Sequence, residues 1–308
     1  MTPIRSIVSL LLFAFVLSGC AGKTCTVPLS GKKHLLDPKR KYMSCQADFY
    51  QHPRAYGERY ERIANRVFVY ALMSSNAYAD NRQFVIPNWE RIERVCTKRD
   101  MSLDVLKNEE EKKIVLAFTG TDSIKDMLYG NFNVFGKGQY VEAEKVLDRI
   151  LSDEAYKGYK IIATGHSLGG GLALHCSLYR DNIDAIVFNT SPRVFRPKYR
   201  TKHSYRIMVN EEQELLAYIR RYHSRFRKIR IDERYNRFNF IRNRFENRLR
   251  GHSIYKIARG LTIVAASTDN PYAKEIMNAN LGCGFEMQEE EEENNSTVNA
   301  AQKFLTQE

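Results

Sequence analysis

One serine of this chain stands between glycines, in Ala163-Thr164-Gly165-His166-Ser167-Leu168-Gly169-Gly170-Gly171, after the apolar run YKIIA and before LALHCSLYR. A strand, a G-x-S-x-G turn and a helix together lift a hydroxyl to a helix N-terminus, where backbone N–H groups favour developing negative charge. Side chains at Gly165 and Gly169 would clash in so sharp a turn. Ser167 therefore reads as a covalent nucleophile, ahead of a plain glycine-rich turn. A serine hydroxyl needs an imidazole to take its proton, and the imidazole needs a carboxylate to orient it. The histidines after Ser167 are His175, His203, His223 and His252. His175 falls in the helix behind the serine and reads as packing, His203 precedes a strand, and His223 lies in a basic stretch. His252, in GHSIYKIARGL, occupies a loop before a short helix. A second stretch, Phe118-Thr119-Gly120-Thr121-Asp122, follows the apolar run IVLAF and offers a backbone N–H from a neighbouring strand end.

These residues need a scaffold, and the surrounding pattern supplies one. YERIANRVFVYALMSSNAYA carries apolar residues at helical spacing from Tyr60 to about residue 77. MSLDVLKNEEEKKIVLAF reads as two strands around an acidic turn, the second apolar throughout, as a buried central strand is. YVEAEKVLDRILSDEAYK is an amphipathic helix, YKIIAT a buried strand, GLALHCSLYR a helix, and DAIVFNT and SYRIMVN strands. Strands alternating with helices predict an α/β protein: a mostly parallel, doubly wound sheet with the nucleophile elbow at a strand end.

The 308 residues are 43% hydrophobic with a formal net charge of +12, which suits a globular body and an anionic partner. MTPIR followed by SIVSLLLFAFVL is a positively charged start and an apolar run too short for a stable span. The run ends in Leu17-Ser18-Gly19-Cys20, which resembles the lipobox of bacterial lipoproteins. That resemblance implies lipidation of Cys20, and Ala21 after it favours the outer membrane, facing the periplasm. The expected organisation is a signal peptide over 1–19, a lipidated tether over 20–45, the α/β-hydrolase body over 46–285 and an acidic tail over 286–308. Within the body, residues 217–250 hold twelve Lys/Arg against three acids with aromatics interleaved, and read as an Arg-rich insertion. Of the six cysteines, Cys25 with Cys45 and Cys96 with Cys283 are candidate pairs in an oxidising compartment. No histidine or cysteine spacing suggests a metal, and no cofactor motif is found, so neither a metal nor a cofactor is expected.

Together the motifs around Ser167 and Gly120 resemble the class 3 lipase family of α/β-hydrolases, which pairs GHSLGG with an upstream F-R-G-T/S motif. The resemblance runs from about Tyr60 to about Gly260 and includes SPRV within VFNTSPRVFRP. It implies an oxyanion hole from the backbone N–H groups of Thr121 and Leu168. Thr119 stands where the family usually has arginine. The family's lid position is occupied by SIKDMLYGNFNVF, with Met127, Leu128, Phe132 and Phe135 as substrate-facing candidates. The family's chain order of serine, acid, histidine selects His252 as the base. The acid departs from the family: after Val209-Asn210 the chain reads Glu211-Glu212-Gln213-Glu214-Leu215-Leu216, with no aspartate. Aligning the apolar pair after the acid selects Glu214, whereas counting from Val209-Asn210 selects Gln213 or Glu212. Glu214 is taken as the acid, with Glu212 the close alternative.

The resemblance implies a serine hydrolase of lipid carboxylic esters, a phospholipase or triacylglycerol lipase. Arginines of 217–250 clamping phosphates, with tyrosines seated at an interface, favour phospholipid. An esterase of non-lipid substrates and a non-catalytic lipoprotein binding anionic lipid stand as alternatives, the second because of the missing aspartate. Nucleic acid is not an expected partner, since an exported chain does not meet it.

Overall fold

The computed structural model describes residues 57–78, 84–99, 101–120, 137–195, 201–212, 214–240 and 252–281. Their elements run α1 (Glu58–Asn76), β1 (Glu90–Cys96), β2 (Ser102–Asn108), β3 (Lys113–Phe118), α2 (Gly138–Ser152), β4 (Lys160–His166) and α3 (Leu168–Tyr179). There follow β5 (Asp184–Phe188), β6 (Arg206–Glu211), α4 (Leu215–Tyr222), α5 (Ser224–Arg227), β7 (Glu233–Phe238), α6 (Ile254–Ser267) and α7 (Pro271–Leu281). The strands form one seven-stranded sheet in the order β1-β2-β3-β4-β5-β6-β7. β1, β2 and β3 pair antiparallel, and every pairing from β3 to β7 is parallel. Helices cover both faces, so the expected α/β-hydrolase architecture is the one observed.

Side-chain alternation along each strand divides the core in two. Val115 and Ala117 of β3, Ile162 of β4 and Val209 of β6 join Val67 and Leu72 of α1 and Leu261 and Val264 of α6. Ile114, Leu116, Ala163, Val187 and Met208 face the other way, against Leu147 of α2 and Leu172 of α3. α3 is buried along most of its length, which is why LGGGLALHCS shows no polar face.

Parallel registry brings the strand ends together. Phe118 is level with Gly165, His166 with Phe188, and Phe188 with Val209. The loops leaving β3, β4, β5 and β6 thus open side by side along the carboxyl edge, where parallel sheets place their sites.

Two strands lay outside the sequence reading. β1 is hidden in the charged string ERIERVC, because Arg91 and Arg94 reach across to the buried carboxylate of Asp104 on β2. β7 falls inside 217–250, so part of the stretch read as an Arg-rich insertion belongs to the sheet. Glu233–Phe238 completes the sheet and buries Tyr235 and Phe238. The two are three residues apart because the register slips between Val209 and Glu211 on β6, which defeats a period-two search. Cys96 is disulfide-bonded and Cys176 is free and buried. The other cysteines, including Cys20, and the lid stretch 123–135 lie outside the described residues.

Candidate active site

Ser167 sits between the last residue of β4 and the first of α3, at φ 55° and ψ −123°. A non-glycine residue reaches that conformation only when its surroundings over-determine it. Here they do: Ser167 N–H donates to Phe188 O at 3.2 Å, and Ser167 O accepts from Gly171 N at 3.2 Å and Ser191 N at 2.8 Å. A Cβ on Gly165 would lie 2.5 Å from the Gly169 carbonyl carbon, so the turn cannot close with a side chain there. Leu168 opens α3, and an N–H in a first turn has no intrahelical acceptor. Thr121, the other expected oxyanion donor, lies outside the described residues. Thr119 stands by as scaffold, its hydroxyl donating to Ala77 O at 2.8 Å.

His252 precedes α6 and is brought to the elbow by ring packing. Its centroid is 4.5 Å from that of His166, the residue immediately before Ser167. His252 Nδ1 meets Glu214 Oε2 at 2.8 Å. Glu214 also accepts from Leu216 N at 2.8 Å and from Arg220 Nη2. Burial alone would push the Glu214 carboxyl up, but His252, the Arg220 charge and the Leu216 N–H together hold it below the usual carboxylate range. It is therefore ionised and can only accept, which makes Nδ1 of His252 the protonated nitrogen and leaves Nε2 with its lone pair. Nε2 has no hydrogen-bond partner among the described residues. Ser167, His252 and Glu214 are all buried, at 3%, 3% and 2% exposure, so the Glu214 carboxylate and its hydrogen bonds lie in a low-dielectric setting.

Of the two glutamates left open by the sequence, the structure brings Glu214 to His252 and leaves the Glu212 side chain exposed, its N–H on Phe238 O at 2.7 Å. The remaining histidines have other work. His175 is buried between Glu144 (2.9 Å) and Phe195 O (2.5 Å). The exposed His203 donates its backbone N–H to Asp181, and His223 Nδ1 accepts from Phe226 N. Two residues that sequence reasoning did not assign complete the site. His166 holds Tyr78 Oη at 3.0 Å through Nδ1, and burial, with the Arg220 charge nearby, keeps its imidazole neutral. Arg220 is buried against Glu214 rather than solvated, so it is not free to clamp a phosphate. The available signal was spacing: Arg220 lies four residues after Leu216 on α4, so the two share one face, and both are buried. No cluster of His, Cys, Asp or Glu among the described residues is placed to hold a metal ion.

Comparison with known proteins bears on part of this arrangement. Residues 69–194 match the family model described as a Tle-like phospholipase domain. That stretch contains Gly120, the elbow and Ser191, and stops short of Glu214 and His252. A lipase of Rhizomucor miehei is 27% identical, over 37% of this chain and 39% of its own length, so the chain spans about two-fifths of that relative. Among solved structures, a propeptide complex of the Rhizomucor miehei lipase is 20% identical with a TM-score of 0.39, covering 50% of this chain and 62% of that one. Lipase II from Rhizopus niveus is 19% identical with a TM-score of 0.39, covering 51% of this chain and 75% of that one.

Proposed function

We propose that the chain is a serine hydrolase of lipid carboxylic esters, with phospholipid as the favoured substrate. The observation that carries this reading is the Glu214–His252 hydrogen bond, delivered to the elbow by the packing of His252 on His166. In the proposed mechanism Ser167 Oγ attacks the ester carbonyl while Nε2 of His252 takes its proton. Glu214 stabilises the resulting imidazolium. The tetrahedral oxyanion faces the Leu168 N–H and, in this reading, that of Thr121. Collapse expels the alcohol, which leaves with the proton from His252, and an acyl group remains on Ser167. Water then repeats the sequence and releases the fatty acid.

Two features favour a lipid surface. The phospholipase-like match spans the elbow. The outer side of α4 displays Tyr218 and Tyr222 at 69% and 62% exposure, their rings 4.6 Å apart, with the Arg221 guanidinium over Tyr222. Aromatic rings backed by cations suit a zone where one end is apolar and the other wet and anionic. Lipidation at Cys20, and with it a place in a bacterial envelope at the periplasmic side of the outer membrane, belongs to the same proposal and rests on the lipobox-like LSGC.

The test is covalent labelling with a fluorescent fluorophosphonate, with and without detergent, beside Ser167→Ala. Labelling of the parent alone, followed by fatty-acid release from phospholipid vesicles in preference to a triacylglycerol emulsion, supports the proposal. A folded parent that never labels would point instead to a scaffold that binds anionic lipid without cleaving it.

A further inference from the structure

Arg220 is 6% exposed, and its two terminal nitrogens reach different parts of the site. Nη2 donates to Oε1 of Glu214, the carboxylate that orients His252. Nη1 donates to the carbonyl oxygen of Thr190 at 2.8 Å. The N–H of Ser191 donates to the carbonyl of Ser167 at 2.8 Å. Thr190 O and Ser191 N belong to one peptide group, which is planar and rigid. A single line of hydrogen bonds therefore runs from the His252 ring through Glu214 and the guanidinium to the Thr190–Ser191 peptide, and ends on the main chain of Ser167. Such chains polarise one another when buried. A guanidinium suits this position because its fork fixes two acceptors in one plane, where an ammonium is a point charge.

We infer that Arg220 is a positioning residue that sets the distance between the acid–base pair and the nucleophile by holding Glu214 and the Thr190–Ser191 peptide on one guanidinium. The inference rests on the reading of Ser167 and His252 given above, since it assigns what aligns them. Among the described residues, Arg220 and His252 are the titratable groups that face Glu214, and His166 packs on His252 from β4.

The experiment uses the full chain, Arg220→Met and Arg220→Lys, each checked for folding by near-UV circular dichroism. Arg220→Met should label with fluorophosphonate on the order of a hundred-fold more slowly, the cost of misplacing reacting groups by about an ångström. Its acid limb should also move to higher pH, because loss of a buried positive charge lets the Glu214–His252 pair take up a proton more readily. Arg220→Lys should hold the acid limb near the parent's while still labelling slowly. A second readout needs no catalysis: in a Ser167→Ala background, the low-field proton resonance of the His252 Nδ1–H should be present with Arg220 and broaden or vanish with Met. Parent-like labelling and pH profile in Arg220→Met, or a parent-like rate in Arg220→Lys should Met not fold, would overturn the inference. A parent that does not label, but whose resonance is lost in Arg220→Met, sinks the hydrolase reading and leaves the positioning role standing.

Discussion

Glu214→Gln removes one charge and almost no volume, and the structure says what that does. Glu214 accepts from His252, Leu216 and Arg220. A glutamine offers one acceptor oxygen and an NH2 that must donate, so either Arg220 or His252 meets a donor. Turned toward His252, the amide selects the tautomer with the proton on Nε2, which can no longer take one from Ser167. An equivalent change in a triad acid lowers turnover about 10⁴-fold, or about 5.4 kcal/mol at about 1.36 kcal/mol per decade. Folding suffers separately, because Arg220 loses its buried counter-charge, a change that costs about 3–5 kcal/mol. That is a large share of the roughly 5–15 kcal/mol that holds a domain together, so the folded fraction is measured beside the rate. Loss of activity should far exceed loss of folded protein. The assay pairs fluorophosphonate labelling rates with urea unfolding for the parent, Glu214→Gln and Glu212→Gln. Glu212 is exposed and binds Phe238 O only through its backbone, so its variant should stay within about 0.5 kcal/mol of the parent in stability and about twofold in rate. A folded Glu214→Gln that labels within about tenfold of the parent would refute the assignment of the acid. The pH dependence adds a sign: the carboxyl of Glu214 is held below its ordinary 4.5, so its contribution to stability is present above that value and is lost as pH falls through the folded-state value.

Ser167→Gly should abolish labelling yet raise stability by about 1 kcal/mol in urea unfolding, the strain at φ 55° exceeding glycine's entropic cost; a less stable variant would show the elbow is unstrained. Burial, aided by nearby positive charge, holds His166 well below 6.5, so the unfolded chain binds the extra proton first. Stability should therefore decline as pH drops below 6.5, by at most about 1.4 kcal/mol per unit from this group, and His166→Asn should flatten that slope. An unchanged slope in His166→Asn would assign the effect elsewhere. Tyr218→Ala with Tyr222→Ala should slow fatty-acid release from anionic phospholipid vesicles on the order of tenfold, and added salt should widen the loss by screening Arg221. Vesicle turnover equal to the parent's would remove α4 from the lipid-facing surface.

Local chemistry announced the elbow. Glycines on either side of Ser167, an apolar strand before and a helix after leave few conformations, and each is a property of neighbouring residues. β3, β4, β5 and β6 were legible for the same reason: each carries a run of consecutive apolar residues, as a strand buried on both faces does. β1 and β7 were not, because edge strands carry charge, and their burial depends on partners such as Asp104 or a register slip on β6. The choice between Glu212 and Glu214 could not be made locally either. The two are separated by two positions in sequence, and only the approach of the loop before α6, with His252 packed on His166, distinguishes them. Arg220 shows the limit most plainly. In sequence it is one of twelve cations in a basic stretch, but the fold turns its side of α4 inward, where burial against a carboxylate and a carbonyl makes it part of the site.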